Sequence, residues 1–320
     1  MDTRRGSAAR TLRRRVAPGE AGRRLADLLA EWLAASLSRP VPRARVRALV
    51  VSGAVRVNGE AWRSAGRALR TGQLVEAAVD PERLAPRSTA TDRPFALTAR
   101  AILYRDAALV AVDKPPGLPT HATADPSRPS LVSHVERHLG RKGGGALGVH
   151  QRLDRDTSGV VLFATDPRAN EGLSRAFAGR EVRKTYLALV ARPRALPPRH
   201  FRIEVPLGPP GPSRRVCVGG AGAKPAETDV IVREVLARAL LVEVRPLTGR
   251  KHQVRAHLAH AGMPVLGDGV YGGEGAGVPR LMLHAWRLGL PHPLSGRPLE
   301  IESPVPADFG AELARLRAGG

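Results

Sequence analysis

The chain has 320 residues, of which 51 are Lys or Arg and 29 are Asp or Glu, so its formal net charge is +22. Its length permits two domains, and its 42% of hydrophobic residues can form a core without metals or disulfides. The single cysteine, Cys217, excludes an internal disulfide and a zinc site built from thiolates alone. No stretch reaches the roughly 20 apolar residues of a membrane span, and the basic N-terminus lacks the apolar stretch of a secretory signal. We therefore expect a cytoplasmic protein that does not enter membranes.

The excess of basic residues predicts a polyanionic partner, because a surplus of this size repels itself in the folded protein. Two other interpretations stay open. The charge could simply make the surface basic and soluble, or it could attach the protein to an anionic membrane. The membrane interpretation is disfavoured, since no helical pattern in the sequence combines a large apolar face with a basic one.

Taken in chain order, the first element is a basic arm over residues 1–17, predicted to be disordered because its arginines follow no apolar period. It could contact RNA or be a solvated tail. A small domain is predicted over residues 18–82, beginning with a helix and followed by a second helix between Pro42 and Gly53. Helical spacing in the first helix joins five apolar residues: Leu25, Leu28, Leu29, Trp32 and Leu33.

The run from Gly22 to Gly59 resembles the S4 RNA-binding domain, a small module that presents a basic helix face to structured RNA. Its Val-x-Val-Asn-Gly ending is intact at residues 55–59, a strand that closes on an Asn-Gly hairpin turn. The usual Ser-Arg pair at the start of the second helix is Pro-Arg here. The resemblance implies phosphate contacts from three arginines of that helix, Arg43, Arg45 and Arg47. Alternatively, these arginines only solvate the helix.

A linker is predicted over residues 83–97, which are rich in Pro, Arg, Ser and Thr and show no periodicity. Residues 98–312 contain short apolar runs such as 109–112, with a helix predicted over 131–139. Because these runs do not alternate throughout with long helices, we predict an α+β fold with a mixed, largely antiparallel sheet. Residues 313–320 are predicted to form a C-terminal tail.

Three segments of this second domain place polar residues beside apolar runs. Residues 151–159 form a charged loop that leads into a buried strand, which is a suitable place for a reactive group. From these residues alone, the favoured interpretation is that Asp154 and Asp156 belong to an ordinary salt-bridged turn. In the strand pattern of residues 183–190, Tyr186 is one of three tyrosines in the chain, although a strand tyrosine is more often part of a core.

The third segment, residues 248–258, predicts a helix with Gln253 and Arg255 off its buried stripe. Three histidines lie in or beside it: His252, His257 and His260. We set a metal site aside because the His-Glu-x-x-His pattern and a cysteine partner are missing, and neighbouring cations repel a metal ion.

Taken together in this order, the segments closely resemble the RluA-type RNA pseudouridine synthases. The signature His-Arg-Leu-Asp-x-x-Thr-Ser-Gly of that family corresponds to residues 151–159, Gln-Arg-Leu-Asp-Arg-Asp-Thr-Ser-Gly, with Gln151 in place of the usual His. The match runs from about Ile102 to Phe309. The S4-like segment precedes it in the chain, as an S4 domain does in several family members. Further family-like stretches are residues 113–119, 184–188, 248–257, 267–272 and 283–285.

The resemblance implies an isomerase that breaks the N1–C1′ bond of a uridine in structured RNA and rejoins the uracil through C5. It implies Asp154 as the catalytic carboxylate, acting as nucleophile or base, with Arg255 favouring its charged form. Tyr186 would hold the base once it is flipped out of the RNA. The reaction requires no cofactor and no metal.

The resemblance also implies a substrate pocket around Asp154. Its lining would include Leu283, Arg152 and Gln253. Arg250 and Lys251 would bind RNA phosphates and oppose the cost of unstacking the base.

Several alternatives stay open at this point. The substrate is expected to be large-subunit ribosomal RNA, as for family members with an S4 domain, but transfer RNA is possible. The chain could also be a non-catalytic RNA-binding or ribosome-assembly protein. A deaminase would need a His/Cys zinc set and a nuclease would need a carboxylate cluster for metals, and neither pattern is visible. We expect a monomer.

Overall fold

The computed structural model of the chain describes residues 10–38, 41, 43–80, 95–122, 129–140, 147–211, 215–273 and 277–319. The chain divides into two compact units, residues 1–89 and 90–320. Their boundary falls inside the predicted linker, most of which lies outside the described residues. At the end of that predicted linker, Phe95 and Leu97 pack against a hydrophobic core of the second unit, so these residues belong to it.

In the first unit two helices share one core with a small antiparallel sheet. The helices are α1 (Leu25–Ser36) and α2 (Arg43–Val51), and the strands are β1 (Arg10–Arg15), β2 (Val55–Val57), β3 (Glu60–Ala61) and β4 (Leu74–Val79). The strands pair in the order β1-β4-β2-β3. All five apolar residues that predict α1 are buried, so the helical period correctly identified its core face.

The β2–β3 hairpin turns through Asn58 and Gly59, as the sequence predicts. Both residues have a positive φ, 51° and 82°, which a two-residue type I′ turn requires at its central positions. The Asn58 side chain also accepts a hydrogen bond of 2.8 Å from the backbone N–H of Leu74, which fastens the turn to β4.

The prediction of a disordered arm was wrong for residues 10–15, which form β1, while residues 1–9 lie outside the described part of the chain. β1 pairs antiparallel with β4 along its whole length. Arg13 adds an ion pair of 2.8 Å with Glu76 on that neighbouring strand. Sequence reasoning could not detect β1, because its residues show no apolar period and the strand is held by backbone pairing with β4.

The second unit is built on one large sheet. The described strands of the second unit are β5 (Ile102–Arg105), β6 (Leu109–Lys114), β7 (Ser158–Ala164), β8 (Arg183–Ala191), β9 (His200–Glu204), β10 (Leu207–Pro210), β11 (Val216–Val218), β12 (Glu227–Val235), β13 (Ala239–Pro246), β14 (Leu283–Pro291) and β15 (Pro298–Glu302). Of these, β10 and β11 pair only with each other. Nine strands form the sheet in the order β5-β6-β7-β14-β8-β13-β12-β9, with β15 pairing β14. Only the β7–β14 pair is parallel among the described strands of this sheet. The predicted mixed, largely antiparallel α+β fold is confirmed.

The helices of the second unit are α3 (Leu131–His138), α4 (Pro167–Ala178), α5 (Gln253–His260) and α6 (Ala307–Arg317). In α5, Gln253 and Arg255 are buried, although the sequence places them off the buried stripe. The reason is that α5 packs on the sheet through Leu258 and on the separate β10–β11 hairpin through Ala256. Within the described ranges, no helix is both long and apolar enough to span a membrane.

The predicted C-terminal tail was wrong for residues 313–317, which continue α6. Phe309 and Leu316 of this helix are buried in the core beneath the β8–β12 half of the sheet. Their spacing places them on one helix face, so the end of the chain is part of the second unit.

Candidate active site

Three adjacent strands, β7, β14 and β8, bring the predicted site residues together. β14 runs parallel to β7, with His284 opposite Ser158, and antiparallel to β8, with Ala285 opposite Tyr186. Because parallel strands start at the same edge of a sheet, the loop that carries Asp154 and leads into β7 lies at the edge where β14 begins. Tyr186 reaches this edge from the other side of β14.

The parallel pair needs a glycine where its two strands approach most closely. Gly159 has a φ of 119°, and a Cβ atom there would lie 2.2 Å from the carbonyl oxygen of Ala285. Any other residue would be strained and would push β14 away. The glycine of the Thr-Ser-Gly stretch therefore sets the distance between the Asp154 loop and β14.

Hydrogen bonds hold the loop on both sides of Asp154. The Thr120 hydroxyl donates to the carbonyl oxygen of Leu153 at 2.9 Å. The backbone N–H of Gly117 donates to the carbonyl oxygen of Arg155 at 2.8 Å. The segment after β6 thus fixes the backbone at the residues before and after the aspartate.

Lys114, the last residue of β6, reinforces this attachment from a fully buried position. Its Nζ donates to the carbonyl oxygens of Pro115 (2.9 Å), Leu118 (2.8 Å) and Arg155 (2.9 Å). Burial lowers the pKa of Lys114 to about 7, although nearby carboxylates of the Asp154 loop favour its charged form. One side chain therefore joins β6, the segment after it and the loop.

A second set of hydrogen bonds joins β7, β14 and β6. The Ser158 hydroxyl lies 3.1 Å from His284 Nδ1, and His284 Nε2 lies 3.2 Å from the carbonyl oxygen of Ser303. The Ser303 hydroxyl donates to Asp113 at 2.8 Å. Because a carbonyl oxygen only accepts, we assign the ring proton to Nε2. Burial lowers the pKa of His284 to about 4, so the ring is neutral at pH 7.

Asp154 is bound by an arginine that is itself held by a second carboxylate. Arg255 Nη1 donates to Asp154 Oδ2 at 2.8 Å, while Nε and Nη2 donate to the two oxygens of Asp268 at 2.7 and 2.8 Å. The side chains of Asp154, Arg255 and Asp268 are 23%, 10% and 0% exposed. Asp154 is therefore the accessible end of a row of three charged groups.

Burial disfavours charge on both Arg255 and Asp268, but the hydrogen bonds and attraction between them outweigh it. The pKa of Arg255 is therefore raised above its ordinary value, and the pKa of Asp268 is lowered. Backbone N–H groups of Val270 and Tyr271 also bind the Asp268 carboxylate. Arg255 consequently stays charged and keeps one N–H group directed at Asp154.

Tyr186 packs, half-buried, against both large cores of the second unit. Burial raises the pKa of its phenol above the ordinary value, and the charge of Asp154 raises it further. The phenol is thus protonated at neutral pH. The structure joins Asp154 and Arg255 by a direct hydrogen bond, and it places Tyr186 opposite Ala285 of β14, the strand that also pairs with β7 behind the Asp154 loop.

The three predicted pocket residues differ in their surroundings. Leu283 is buried at the start of β14, in a core against which Tyr186 also packs. Arg152 is exposed in the loop, two residues before Asp154. These positions are compatible with a pocket beside the aspartate.

Gln253, by contrast, uses its whole amide group inside the protein. Its Nε2 donates to the Glu227 carbonyl oxygen (2.9 Å) and contacts the Thr228 hydroxyl (3.0 Å). Its Oε1 accepts from the Thr248 hydroxyl (2.8 Å) and the Arg250 backbone N–H (2.9 Å). Gln253 therefore braces the turn before α5 and has no amide group left for a substrate.

The predicted RNA-binding residues lie in both units. Arg250 and Lys251 are exposed in the turn before α5. In α2, Arg47 is exposed and Arg45 is half-buried, and the side chain of Arg43 lies outside the described part of the structure.

Sequence reasoning missed four residues that surround Asp154: Lys114, His252, Asp268 and Tyr271. Lys114, Asp268 and Tyr271 lie in stretches that the family resemblance singles out without giving a role. His252 lies in another such stretch and is otherwise noted only as a member of a histidine group. Among the described residues, no group of three or more His, Cys, Asp or Glu side chains is arranged to hold a metal ion.

Comparison with known proteins defines the class. The sequence profile of the RNA pseudouridylate synthase family matches residues 108–260. This range contains Asp154, Tyr186 and Arg255, together with β7, β8 and α5, whereas β14 lies beyond it.

Individual relatives extend the match over most of the chain. An uncharacterized RNA pseudouridine synthase of Chloroflexus aurantiacus is 34% identical over 281 residues, covering 86% of this chain and 85% of the relative. The ribosomal large subunit pseudouridine synthase C of Yersinia pestis is 34% identical over 317 residues, covering 94% of each. The solved structure of human RNA pseudouridylate synthase domain containing 4 has a TM-score of 0.56 and 27% identity, covering 68% of this chain and 93% of that one. The chain therefore belongs to the RluA-type RNA pseudouridine synthases, and the expected enzyme class is confirmed.

Proposed function

We propose that this enzyme isomerises specific uridines of large-subunit ribosomal RNA, with Asp154 as its catalytic carboxylate. The observation that carries this assignment is the hydrogen bond of 2.8 Å from Arg255 to Asp154, whose side chain is still 23% exposed. A carboxylate that is held in place and yet accessible can reach a nucleotide. Support for the RNA class comes from the Yersinia pestis relative, whose name assigns it to the large ribosomal subunit.

The proposed reaction breaks the N1–C1′ bond, turns the uracil and joins its C5 to C1′. The proton on C5 is then lost and N1 gains a proton, so the product is an isomer and no co-reactant is needed. Asp154 acts at the sugar, either by attacking C1′ or by removing a sugar proton. Arg255, fixed in advance by Asp268, compensates the changing charge on the carboxylate.

In this proposal Tyr186 provides the surface on which the flipped uracil rests. Flipping costs a few kcal/mol of stacking and pairing energy, part of which an aromatic face restores. Because burial raises the pKa of the phenol, in this proposal the protonated Tyr186 hydroxyl can donate a hydrogen bond at neutral pH. Leu283 and Arg152 border the same pocket.

We propose that the first unit is an S4-type RNA-binding module. The argument for this is its pair of helices on an antiparallel sheet, with Arg45 and Arg47 on the second helix. Together with Arg250 and Lys251, these groups would bind phosphates and supply the energy for flipping. We also propose that the enzyme is a monomer, since Asp154, Arg255 and Tyr186 come from one chain, and sedimentation as a dimer would contradict this. We further propose that it acts in the cytoplasm.

The substitution Asp154→Asn tests the catalytic assignment. We expect it to abolish pseudouridine formation in purified RNA while RNA affinity changes little, because the amide keeps the size of the carboxylate but not its charge. Asp156→Asn is the matched control, since this aspartate lies in the same loop, is 45% exposed and pairs with Arg155 at 3.0 Å. Full activity of Asp154→Asn would refute the assignment.

Mapping pseudouridines in RNA from cells with and without the protein tests the substrate. We expect the missing modifications to lie in large-subunit ribosomal RNA. If they lie only in transfer RNA, the proposed substrate is wrong and the proposed chemistry is unaffected.

A further inference from the structure

We propose that His252 is a positioning residue of this enzyme, which Tyr271 holds so that its Nε2–H faces Asp154 and keeps that carboxylate aimed at the nucleotide. This inference rests on the proposed role of Asp154. It concerns the oxygen that Arg255 leaves free, because Arg255 binds Oδ2 whereas His252 faces Oδ1.

We assign the ring proton of His252 from its contact with Tyr271. The buried Tyr271 hydroxyl accepts a hydrogen bond of 2.8 Å from the backbone N–H of Val216 and lies 3.2 Å from His252 Nδ1. Among the described residues this hydroxyl has no third partner, so its own proton is available to Nδ1. A neutral imidazole that accepts at Nδ1 carries its proton on Nε2.

The protonated nitrogen is the one that faces the aspartate. His252 Nε2 lies 3.8 Å from Asp154 Oδ1, which is longer than a hydrogen bond. Such distances in free enzymes often shorten when substrate binds. A movement of less than about 1 Å would let His252 donate to Oδ1 while Arg255 donates to Oδ2, so the carboxylate could not rotate.

The backbone of His252 supports a special role. Its φ of 54° and ψ of 18° are left-handed, immediately before the first residue of α5. The described non-glycine residues with positive φ are Ser38, Asn58, Arg180 and His252. Few residues other than glycine adopt this conformation, although histidine does so more readily than most, and it persists where the surroundings hold it. Here it allows His252 and Arg255, three residues apart, to approach the same carboxylate.

The electrostatic surroundings keep the ring neutral. The charged groups that face His252 are Asp154, Asp268, Arg255 and Lys251. Burial is the largest influence and lowers the pKa of His252 below its ordinary value of 6.5, the two cations lower it further, and the two carboxylates oppose them. At pH 7 the neutral ring can therefore accept from Tyr271 and donate towards Asp154. Protonation in acid places a second proton on Nδ1, against the Tyr271 hydroxyl.

Two substitutions of His252 separate the effect of side-chain length from the effect of the left-handed backbone. Asparagine tolerates the left-handed conformation but is too short to reach Asp154, whereas glutamine can place an amide N–H near the position of Nε2. We expect His252→Asn to lower kcat about 10- to 100-fold with little change in KM for the RNA, and His252→Gln to recover part of the loss. His260→Asn is the control, because His260 is exposed at the far end of the same helix.

The substitution Tyr271→Phe tests the coupling between the two residues. It removes the donor that favours the neutral ring, so the pKa of His252 rises and the acid limb of the kcat–pH profile moves to higher pH. A merely structural role of Tyr271 would lower the amount of active enzyme without moving that limb. If Tyr271→Phe does not fold, ¹⁵N chemical shifts of His252 in the wild-type protein report the same tautomer.

The outcomes distinguish this inference from the proposed function. Wild-type kcat in His252→Asn, an unmoved acid limb in Tyr271→Phe, or a wild-type ring protonated at Nδ1 would each overturn the role of His252. If Asp154→Asn is inactive at the same time, the catalytic assignment stands. If Asp154→Asn is active, the proposed function fails first and this inference fails with it.

Discussion

Arg255 carries one positive charge between two carboxylates, and its planar side chain explains how it can serve both. Two of its N–H groups bind Asp268 in a bidentate contact, which fixes the plane of the guanidinium and leaves Nη1 for Asp154. Lysine could not replace it, because an ammonium group has no such fork. The buried carboxylate thus orients the arginine, and the arginine orients the accessible carboxylate.

His284 gives a prediction about pH and stability at the residue scale. Its pKa is about 4 in the folded protein and 6.5 ordinarily, so between these values the unfolded chain binds a proton that the folded chain does not. This contribution to stability is present above pH 6.5 and is lost as the pH falls towards 4. It amounts to at most about 3 kcal/mol. His284→Gln lacks this titration, so the difference in unfolding free energy between wild type and variant should narrow as the pH falls.

Urea unfolding at pH 7 and at pH 4.5 measures this difference. The variant should be about 1–3 kcal/mol less stable at pH 7, because it disturbs the buried hydrogen bonds with Ser158 and Ser303. His260→Gln serves as the control, since an exposed histidine should keep its difference from wild type nearly constant. A difference for His284→Gln that is equal at both pH values would contradict the prediction.

At the scale of elements, the site depends on how closely two parallel strands approach each other. β7 brings the Asp154 loop, β14 brings Leu283, and Gly159 lets their backbones come together. The segment after β6 then fixes the loop through Thr120 and Lys114. The geometry of the aspartate is therefore a property of three strands and their connections.

Replacing Gly159 tests this dependence. In Gly159→Ala the new Cβ would lie 2.2 Å from a backbone oxygen of Ala285, and the backbone at φ 119° would be strained. We expect a loss of more than about 3 kcal/mol in unfolding free energy and a large drop in activity. Thermal unfolding and the pseudouridine assay measure both. Gly310→Ala, in α6 with nothing within 4 Å of its Cβ, should instead be neutral or stabilising.

The elements that sequence reasoning predicted best are those held by local forces. The apolar period of α1 and the Asn58-Gly59 turn are visible within a few residues, and both are present. β1 was missed because it is held by pairing with β4, which lies far away in the sequence. The same limit applies to Gln253, whose bracing role depends on Glu227 and Thr228, about 25 residues away.

The candidate site shows this division as well. A motif identifies Asp154, Tyr186 and Arg255, because their residue types and order follow from the chemistry of the family. It does not identify what holds them, since Asp268 and Lys114 act through buried contacts that only a folded chain creates. Sequence therefore predicts the proposed catalytic groups better than the residues that hold them.

At the scale of the whole molecule, the chain combines two units with separate cores and a net charge of +22. The second unit holds Asp154 and the groups around it, so it contains the proposed chemistry. The first unit supplies basic residues on a small scaffold. This arrangement suggests that RNA affinity and catalysis can be altered separately.

Deleting residues 1–89 tests that separation. The remaining chain keeps both large cores of the second unit and should fold. Its RNA affinity should fall and depend less steeply on salt, because fewer phosphate contacts release fewer counterions. Filter binding measures both the affinity and its salt dependence, over roughly 50 to 200 mM salt, where such effects are large. Replacing only Arg45 and Arg47 with Gln is the milder control, and equal affinity of the truncated and full chains would contradict the prediction.

The hydrogen bond between Ser158 and His284 joins positions 126 residues apart, and that between Arg255 and Asp154 joins positions 101 apart. Such distant contacts form late, because a long loop must close before they stabilise anything. During synthesis β14 emerges well after Asp154 has left the ribosome. The aspartate of a nascent chain therefore exists for some time without the neighbours that orient it, and we expect the chain to become competent to modify RNA only after β14 has emerged.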